Sequence, residues 1–447
     1  MARETAIRSS RTASAALRLG ERLRQLRVAA GLTQSELAGE RFSKEYVSQI
    51  ERGKTRPTTE TIEWLAVRLG CDAGFLANGV ATDERGRLEG ALARAETMIE
   101  AHRNEDAAAE YEQLVPASRA TGIPELEVRA LVGAGRTQMR LGALRQALDL
   151  LNDARGIVEA SNFSDLERAE VYFALGICRY QLNSVQTSLG LLNEALGLAE
   201  RSGMPSDSLR SNILSWRSRC WRRMRDYEAA REDIERALQL AEDAADARTI
   251  GDAYFQASMV ADREGHWILA RNYAEKARAA YEELSDQVHV GQLKNNLGGF
   301  NFLLGKTEEA ISLLKEAFGI ALDTGREADA AQAVSSLAQI HLRTGDVAQA
   351  EEQARHALRL LAGREDYLDE IGSAQLVLGR ALLEQQRLDE AETAFAEAEA
   401  SFAQLGSASH RASVWVARGD LAAKRGDDRL AAHLYRTAAE ALQDVRF

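Results

Sequence analysis

Apolar residues recur along this chain at helical spacing. Leu19, Leu23 and Leu26 stand at i, i+4 and i+7, which marks one face of a first helix that stops at Gly31. Thr33-Gln34-Ser35-Glu36 follows, a capping-box pattern in which Thr33 and Glu36 satisfy each other's free amides, and it predicts a short second helix through Ala38. Residues 39–42 read as a turn. Ser43 is a good cap for a third helix ending at Gly53. In that helix Val47 and Ile50 face inward, while Lys44, Glu45, Tyr46, Ser48, Gln49 and Arg52 are left on outward faces.

Beyond residue 88 the pattern repeats itself. Gly-x-x-x-x-Ala recurs with an apolar residue four positions and an alanine seven positions after the first alanine, as in Gly142…Ala147…Leu151…Ala154 and Gly305…Ala310…Leu314…Ala317. With the weaker units included, the anchor falls at Ala107, Ala147, Ser188, Ala230, Ala270, Ala310, Ala350, Ala391 and Ala431, spaced 40–42 residues apart. A small residue precedes the turn by seven positions, for example Gly135, Gly176, Gly298, Gly379 and Gly419. Small residues there let two helices approach closely, and the turn glycine closes the first of them. No single hairpin buries its apolar face alone, so the nine units are expected to stack.

Composition agrees: proline is scarce, at 4 of 447 residues, which favours helix throughout. The net charge of −12 speaks against nucleic acid until its distribution is seen. Residues 1–82 carry a net +4 and the remainder −16. A basic head on an acidic body is expected where one end meets phosphate and the other does not. Three scattered cysteines (Cys71, Cys178, Cys220) form no disulfide framework, no apolar run spans a bilayer, and residues 1–16 lack a signal peptide's core. The expected location is the cytoplasm.

Two short helices joined by a tight turn, the second with a polar outer face, form the helix-turn-helix layout. The run Leu32-Thr33-Gln34-Ser35-Glu36-Leu37-Ala38, then Tyr46-Val47-Ser48-Gln49-Ile50-Glu51-Arg52-Gly53-Lys54, then Pro57 and Leu65-Ala66-Leu69, resembles the lambda-repressor/Cro-like (XRE) family. The resemblance implies that Gln34 braces the second helix on a phosphate and supports a base contact. It places Lys44, Glu45 and Gln49 at base-reading positions, where Gln49 would pair with adenine and Lys44 with guanine. Lys54 and Arg56 would contact phosphate. Ser43, Tyr46, Ser48 and Arg52 complete the candidate DNA-contacting set, although Tyr46 is equally readable as half-buried. The turn Gly39-Glu40-Arg41-Phe42 is longer and more acidic than the family's usual one. Glu45 would accept from cytosine or exclude wrong sites by repulsion. Arg27 and Glu51 match a family pair that forms an internal ion pair. Arg3, Arg8 and Arg11 belong to an arm that would enter the minor groove or remain a disordered leader.

The repeats resemble tetratricopeptide repeats in a form of about 40 residues. The expected fold is thus all-α: a flexible basic arm (1–16), an XRE-type helix-turn-helix domain (17–79), a linker that acts as hinge (80–87) and a superhelical solenoid of about nine hairpins (88–447). Its concave face would be lined by the first helix of each hairpin. Outward positions there give Arg136, Arg140, Asn212, Arg219, Arg222, Arg223, Asn295, Gln339, Arg343 and Arg380, with Asp252 and Asp262 beside them. Amides that pair with a backbone and arginines that hold carboxylates suit an extended peptide. Two other readings stay open: solvated residues paired with glutamates on their own helices, and a surface for a protein partner. Trp216, Trp221 and Trp267 read as core more readily than as a ligand platform.

A helix-turn-helix head on a tetratricopeptide body resembles the peptide-responsive RRNPP regulators. That resemblance implies quorum sensing, a short peptide in the groove, a double-stranded DNA operator as partner and a homodimer whose heads read half-sites one helical turn apart. The rival is a DNA-tethered scaffold that recruits a protein and needs no small ligand. Neither reading is catalytic or needs a cofactor or metal. Gly305-Lys306-Thr307 ends like a phosphate-binding loop, but the required first glycine falls on Phe300, and the seven histidines show no ligand spacing.

Overall fold

The computed structural model describes residues 19–78, 82–364, 367–405 and 408–443, and it divides into two compact units, residues 1–205 and 206–447. Every regular element among the described residues is helical. The first unit opens with a five-helix head: α1 (residues 19–29), α2 (Gln34–Ala38), α3 (Lys44–Glu51), α4 (Thr59–Leu69) and α5 (Ala73–Asn78). Three hairpins follow, α6/α7 (Thr82–Glu100, Asn104–Thr121), α8/α9 (Pro124–Arg140, Leu144–Ala160) and α10/α11 (Asp165–Gln181, Val185–Arg201).

The second unit holds six more: α12/α13 (Asp207–Arg223, Tyr227–Ala244), α14/α15 (Ala247–Arg263, Trp267–Glu283), α16/α17 (Gln287–Leu303, Thr307–Asp323), α18/α19 (Glu327–Thr344, Val347–Leu360), α20/α21 (Leu368–Glu384, Leu388–Gln404) and α22/α23 (Ala408–Lys424, Asp428–Gln443). These are the nine repeats that the spacing predicts, and all nine anchors lie buried at the start of a second helix.

Each hairpin is held where its helices cross. A Cβ on Gly135 would stand 2.8 Å from Leu151 Cγ, one on Gly298 2.7 Å from Leu314 Cγ and one on Gly379 2.4 Å from Phe395 Cε1. The partner always lies sixteen positions on, and Gly176/Leu192 and Gly419/Tyr435 repeat the arrangement. Where the first residue is larger, compensation is local. Ser218 donates to the carbonyl of Ala230 at 2.9 Å, and Ala338 shares one buried cluster with a second alanine, Ala354.

The tight turn needs a left-handed residue. Gly142, Gly265, Gly305, Gly345 and Gly426 supply it at φ of 78–83°, and in the four weaker units His102, Asn183, Arg225 and Gln386 adopt the same sign. Aromatic side chains near the ends of second helices join consecutive hairpins: Tyr281 stacks on His289 at 4.4 Å and Phe402 on His410 at 4.8 Å.

Of the expected linker, residues from Thr82 onward belong to α6, where an Arg85–Glu89 pair at 2.8 Å supports the first turns. Residues 79–81 and the arm with Arg3, Arg8 and Arg11 lie outside the described residues. Among the described residues no helix is long and apolar enough to cross a membrane.

Two substitutions of opposite sign test this account. Gly379→Ala forces a methyl against the Phe395 ring and is expected to destabilise the second unit by about 1–3 kcal/mol. Gln386→Gly relieves a left-handed non-glycine residue and is expected to stabilise by about 0.5–1 kcal/mol. Chemical denaturation followed by circular dichroism reads both.

Candidate nucleic-acid interface and first-helix face

The head is built around nine buried apolar residues, among them Leu23 of α1, Leu37 of α2, Val47 and Ile50 of α3 and Leu65 of α4. α1 crosses the end of α3 so closely that a Cβ on Gly20 would lie 2.4 Å from the Ile50 carbonyl oxygen. The expected capping box is present: the Glu36 amide donates to Thr33 Oγ1 at 3.2 Å, and the Thr33 amide to Glu36 Oε2 at 2.7 Å. The bond from the Thr33 amide, with one from the Thr33 hydroxyl second, holds the Glu36 carboxyl below its usual range. Ser43 Oγ accepts from the Tyr46 amide at 3.1 Å and so fixes the start of α3.

A buried polar network then locks α3 to the two helices before it. Arg27 donates to both oxygens of Glu51 at 2.6 and 3.1 Å and to the Leu32 carbonyl at 2.8 Å. Gln34 Nε2 adds a bond to Glu51 Oε2 at 2.7 Å. The Arg27 and Glu51 side chains are only 12% and 4% exposed, so this is the internal ion pair that the resemblance implies. The amide nitrogen of Gln34 is committed to that network.

Outside it, Ser43, Lys44, Glu45, Gln49, Arg52, Lys54 and Arg56 are all exposed, whereas Ser48 and Tyr46 are half-buried. Gln49 Oε1 accepts from Thr55 Oγ1 at 3.0 Å, a partner that sequence reasoning missed and that orients the amide. Tyr46 lies 5.3 Å from the Phe42 ring, which meets Trp64 of α4 edge-on at 5.1 Å. Arg68, one turn beyond Trp64, stacks on it at 5.1 Å and donates to the Glu36 carbonyl at 2.7 Å. The long turn is thus filled by an aromatic side chain and clamped from α4. The signal for this was the Trp64/Arg68 spacing of four, which sequence reasoning did not use.

On the first helices, the candidate residues are less free than their spacing implies. In the first unit Arg136 and Arg140 of α8 are exposed, and Arg136 lies within electrostatic reach of Glu170 on α10. In the second unit Arg219 stacks on Trp216 at 4.2 Å and donates to Gln256 of α14 at 2.8 Å. Asn296 reaches Met259 at 3.6 Å, Asn295 accepts from Ser336 of α18 at 3.1 Å, and Arg343 lies 5.1 Å from the Phe302 ring.

These contacts tie α12 to α14, α14 to α16 and α16 to α18, and for Arg219, Asn295 and Arg343 they bring in an amide, a hydroxyl and a ring on a neighbouring repeat. Burial pushes the Asp262 carboxyl up, against the pull of Arg263 and Arg222. Asp252 accepts from the buried Tyr281 hydroxyl. Asn212, Arg222 and Arg380 are half-buried, and Arg223 and Gln339 exposed. A nook of about 10 Å³, room for about one water, opens among Gln292, Asn295, Asp329 and Gln332.

The tryptophans differ from expectation in part. Trp216 and Trp221 are half-buried, and Trp221 donates to Asp233 at 3.1 Å. Trp267, the first residue of α15, is 39% exposed.

Residues 18–76 match the helix-turn-helix domain family, and residues 289–362, 337–405 and 376–445 match tetratricopeptide repeats. A curated relative, the HTH-type transcriptional regulator DdrOP3 of Deinococcus deserti, is 42% identical over 65 residues, which cover 14% of this chain and 50% of the relative. The chain therefore spans about half the length of that relative. Among solved structures, a Rap protein complexed with Competence and Sporulation Factor superposes with a TM-score of 0.54 at 17% identity, covering 80% of this chain and 98% of that one. The apo quorum sensor NprR from B. thuringiensis gives 0.56 at 14% identity, covering 80% and 99%. The apo form of RapI gives 0.58 at 13%, covering 80% and 98%. The chain carries an N-terminal helix-turn-helix domain and C-terminal tetratricopeptide repeats, and its resemblance to the RRNPP group extends to the fold.

The buried network yields a local prediction. Glu51→Ala strands the Arg27 charge and is expected to cost the head about 3–5 kcal/mol, whereas Arg27→Met with Glu51→Leu recovers most of that loss. Hydrogen exchange of the α3 amides, which reports the head apart from the repeats, measures both.

Proposed function

We propose that this chain is a cytoplasmic transcriptional regulator that reads a DNA operator through α3 and takes a peptide on the first helices of its repeats. The observation that carries the DNA half is the rigid presentation of α3. Its inner side is locked by Arg27, Gln34 and Glu51, and its outer side leaves Lys44, Glu45 and Gln49 open to base edges. Lys54 and Arg56 follow as phosphate contacts that set register. The match of residues 18–76 to the helix-turn-helix family supports the same reading.

The effector half rests on the polar bridges between successive first helices. A peptide that bonds to Arg219, Asn295 or Arg343 competes with the contacts that set how adjacent repeats stack. Binding on this face therefore alters repeat geometry, which gives a physical route from ligand to the spacing of two heads in a homodimer. By linkage, DNA then changes ligand affinity by the same factor. The solved relatives named for a signalling factor and for quorum sensing support this half by fold alone. The scaffold reading has its own support in Trp267-Ile268-Leu269, three consecutive exposed apolar residues suited to a protein partner.

Gln49→Ala is expected to relax specificity at one base position at a cost of about 1–3 kcal/mol. Lys54→Ala should weaken operator and random duplex alike and flatten the salt dependence by about one unit. Binding isotherms on both duplexes at several salt concentrations separate the two roles, and equal losses on both for Gln49→Ala would remove it from base reading. Native mass spectrometry of the protein from its own host tests the effector: a dimer carrying a peptide-sized mass is expected, and a bare oligomer favours the scaffold.

A further inference from the structure

We infer that Arg41, in the turn ahead of α3, is a further contact to the DNA backbone and that Glu60 of α4 restrains it until duplex binds. The inference rests on the DNA-binding reading above. Three contacts fix the turn that carries Arg41. Phe42 is wedged against Tyr46 and Trp64, the Phe42 amide donates to the Ala38 carbonyl at 3.2 Å, and Arg68 closes over Gly39, whose added Cβ would meet it at 3.2 Å. Arg41 is therefore held on a rigid base three residues before Lys44. That is the N-terminal end of the recognition helix, which enters the groove in this docking mode while the helix before it crosses the backbone, so the turn between them lies close to phosphate.

The Arg41 side chain is 44% exposed, lies 5.7 Å from the Phe42 ring and forms an ion pair with Glu60. Glu60 is itself 76% exposed. α4 does not depend on that carboxylate for its start, because Thr58 Oγ1 already accepts from the Thr61 amide at 3.3 Å. An ion pair this open to water is weak, and a duplex phosphate offers Arg41 a bidentate partner at higher charge density. The carboxylate thus screens Arg41 in the free protein and gives way to phosphate on the duplex. This also accounts for the length of the turn: the extra residues bring a cation forward, and Glu60 keeps the unbound head from clinging to any polyanion.

The test is a double-mutant cycle on the full-length protein with a 30-base-pair duplex of random sequence, read by fluorescence anisotropy across a salt series. Arg41→Ala is expected to weaken binding several-fold and to lower the salt slope by about 0.9. Arg41→Lys should keep most of the slope. Glu60→Gln is expected to tighten binding about two- to fivefold, the worth of one exposed ion pair, and that gain should vanish when Arg41 is already alanine. Thermal unfolding of each variant shows whether the head remains folded. A Glu60→Gln gain that persists beside Arg41→Ala would overturn the inference, since Glu60 would then act by general repulsion. So would an unchanged salt slope for Arg41→Ala in a folded head. Failure of the unmodified protein to bind duplex at low salt would overturn the DNA-binding reading itself, and the inference with it.

Discussion

Where Gly135, Gly176, Gly298, Gly379 and Gly419 stand at the crossing of a hairpin, the second helix has room for a large side chain only because the facing position on the first is empty. Gly135 faces Leu151, Gly298 faces Leu314 and Gly379 faces Phe395, each sixteen residues apart, at separations that leave no space for a methyl group. This volume exchange fixes the register of the pair. Once the register is fixed, the anchor alanines fall into the hairpin core, and residues such as Tyr281 and Phe402 are delivered to the seam with the next hairpin. Interiors pack near crystal density, so an error of one methylene at the crossing propagates to that seam. The rest of each unit follows from that crossing.

The head solves a different problem with a different interaction. Its apolar core holds nine buried residues, and a polar network adds direction to that packing. Glu51 receives Arg27 from α1 and Gln34 from α2, so the orientation of α3 is set by hydrogen-bond geometry as well as by packing. The residues that face away from that network gain a fixed outline, which a surface must have to read base edges. On the far side, α4 reaches over the turn through Trp64 and Arg68 and fixes the approach to α3.

The repeats and the head share one economy: polar side chains that look like free binding groups in sequence are also structural ties. Arg219 and Asn295 hold neighbouring first helices together, as Gln34 holds α2 to α3. A ligand that engages such a group removes a bond within the protein as it forms one outside. Binding and conformation are then coupled without a dedicated transmission path, because one set of atoms serves both.

The sequence by itself determined the all-helical class, the nine hairpin units and their spacing, the helix-turn-helix register and the caps at Thr33 and Ser43. These depend on local periodicity and on steric rules that act within a few residues, so a 40-residue spacing and a left-handed turn position leave marks that can be counted. The Arg27–Glu51 pair was legible only through family resemblance, and the turn position of Arg225 and Gln386 was hidden because glycine is not its only occupant. Tertiary structure alone decided which polar residues were already spoken for. Thr55 on Gln49, Gln256 on Arg219 and Ser336 on Asn295 are partners whose separation in the chain, 6, 37 and 41 residues, carries no local signal. It also left Trp267 exposed at the start of α15 and set the start of α6 inside the expected linker. Pattern fixes which face of a helix turns outward. What stands opposite that face depends on how the next repeat docks, and docking is set by long-range volume complementarity that no window of sequence contains.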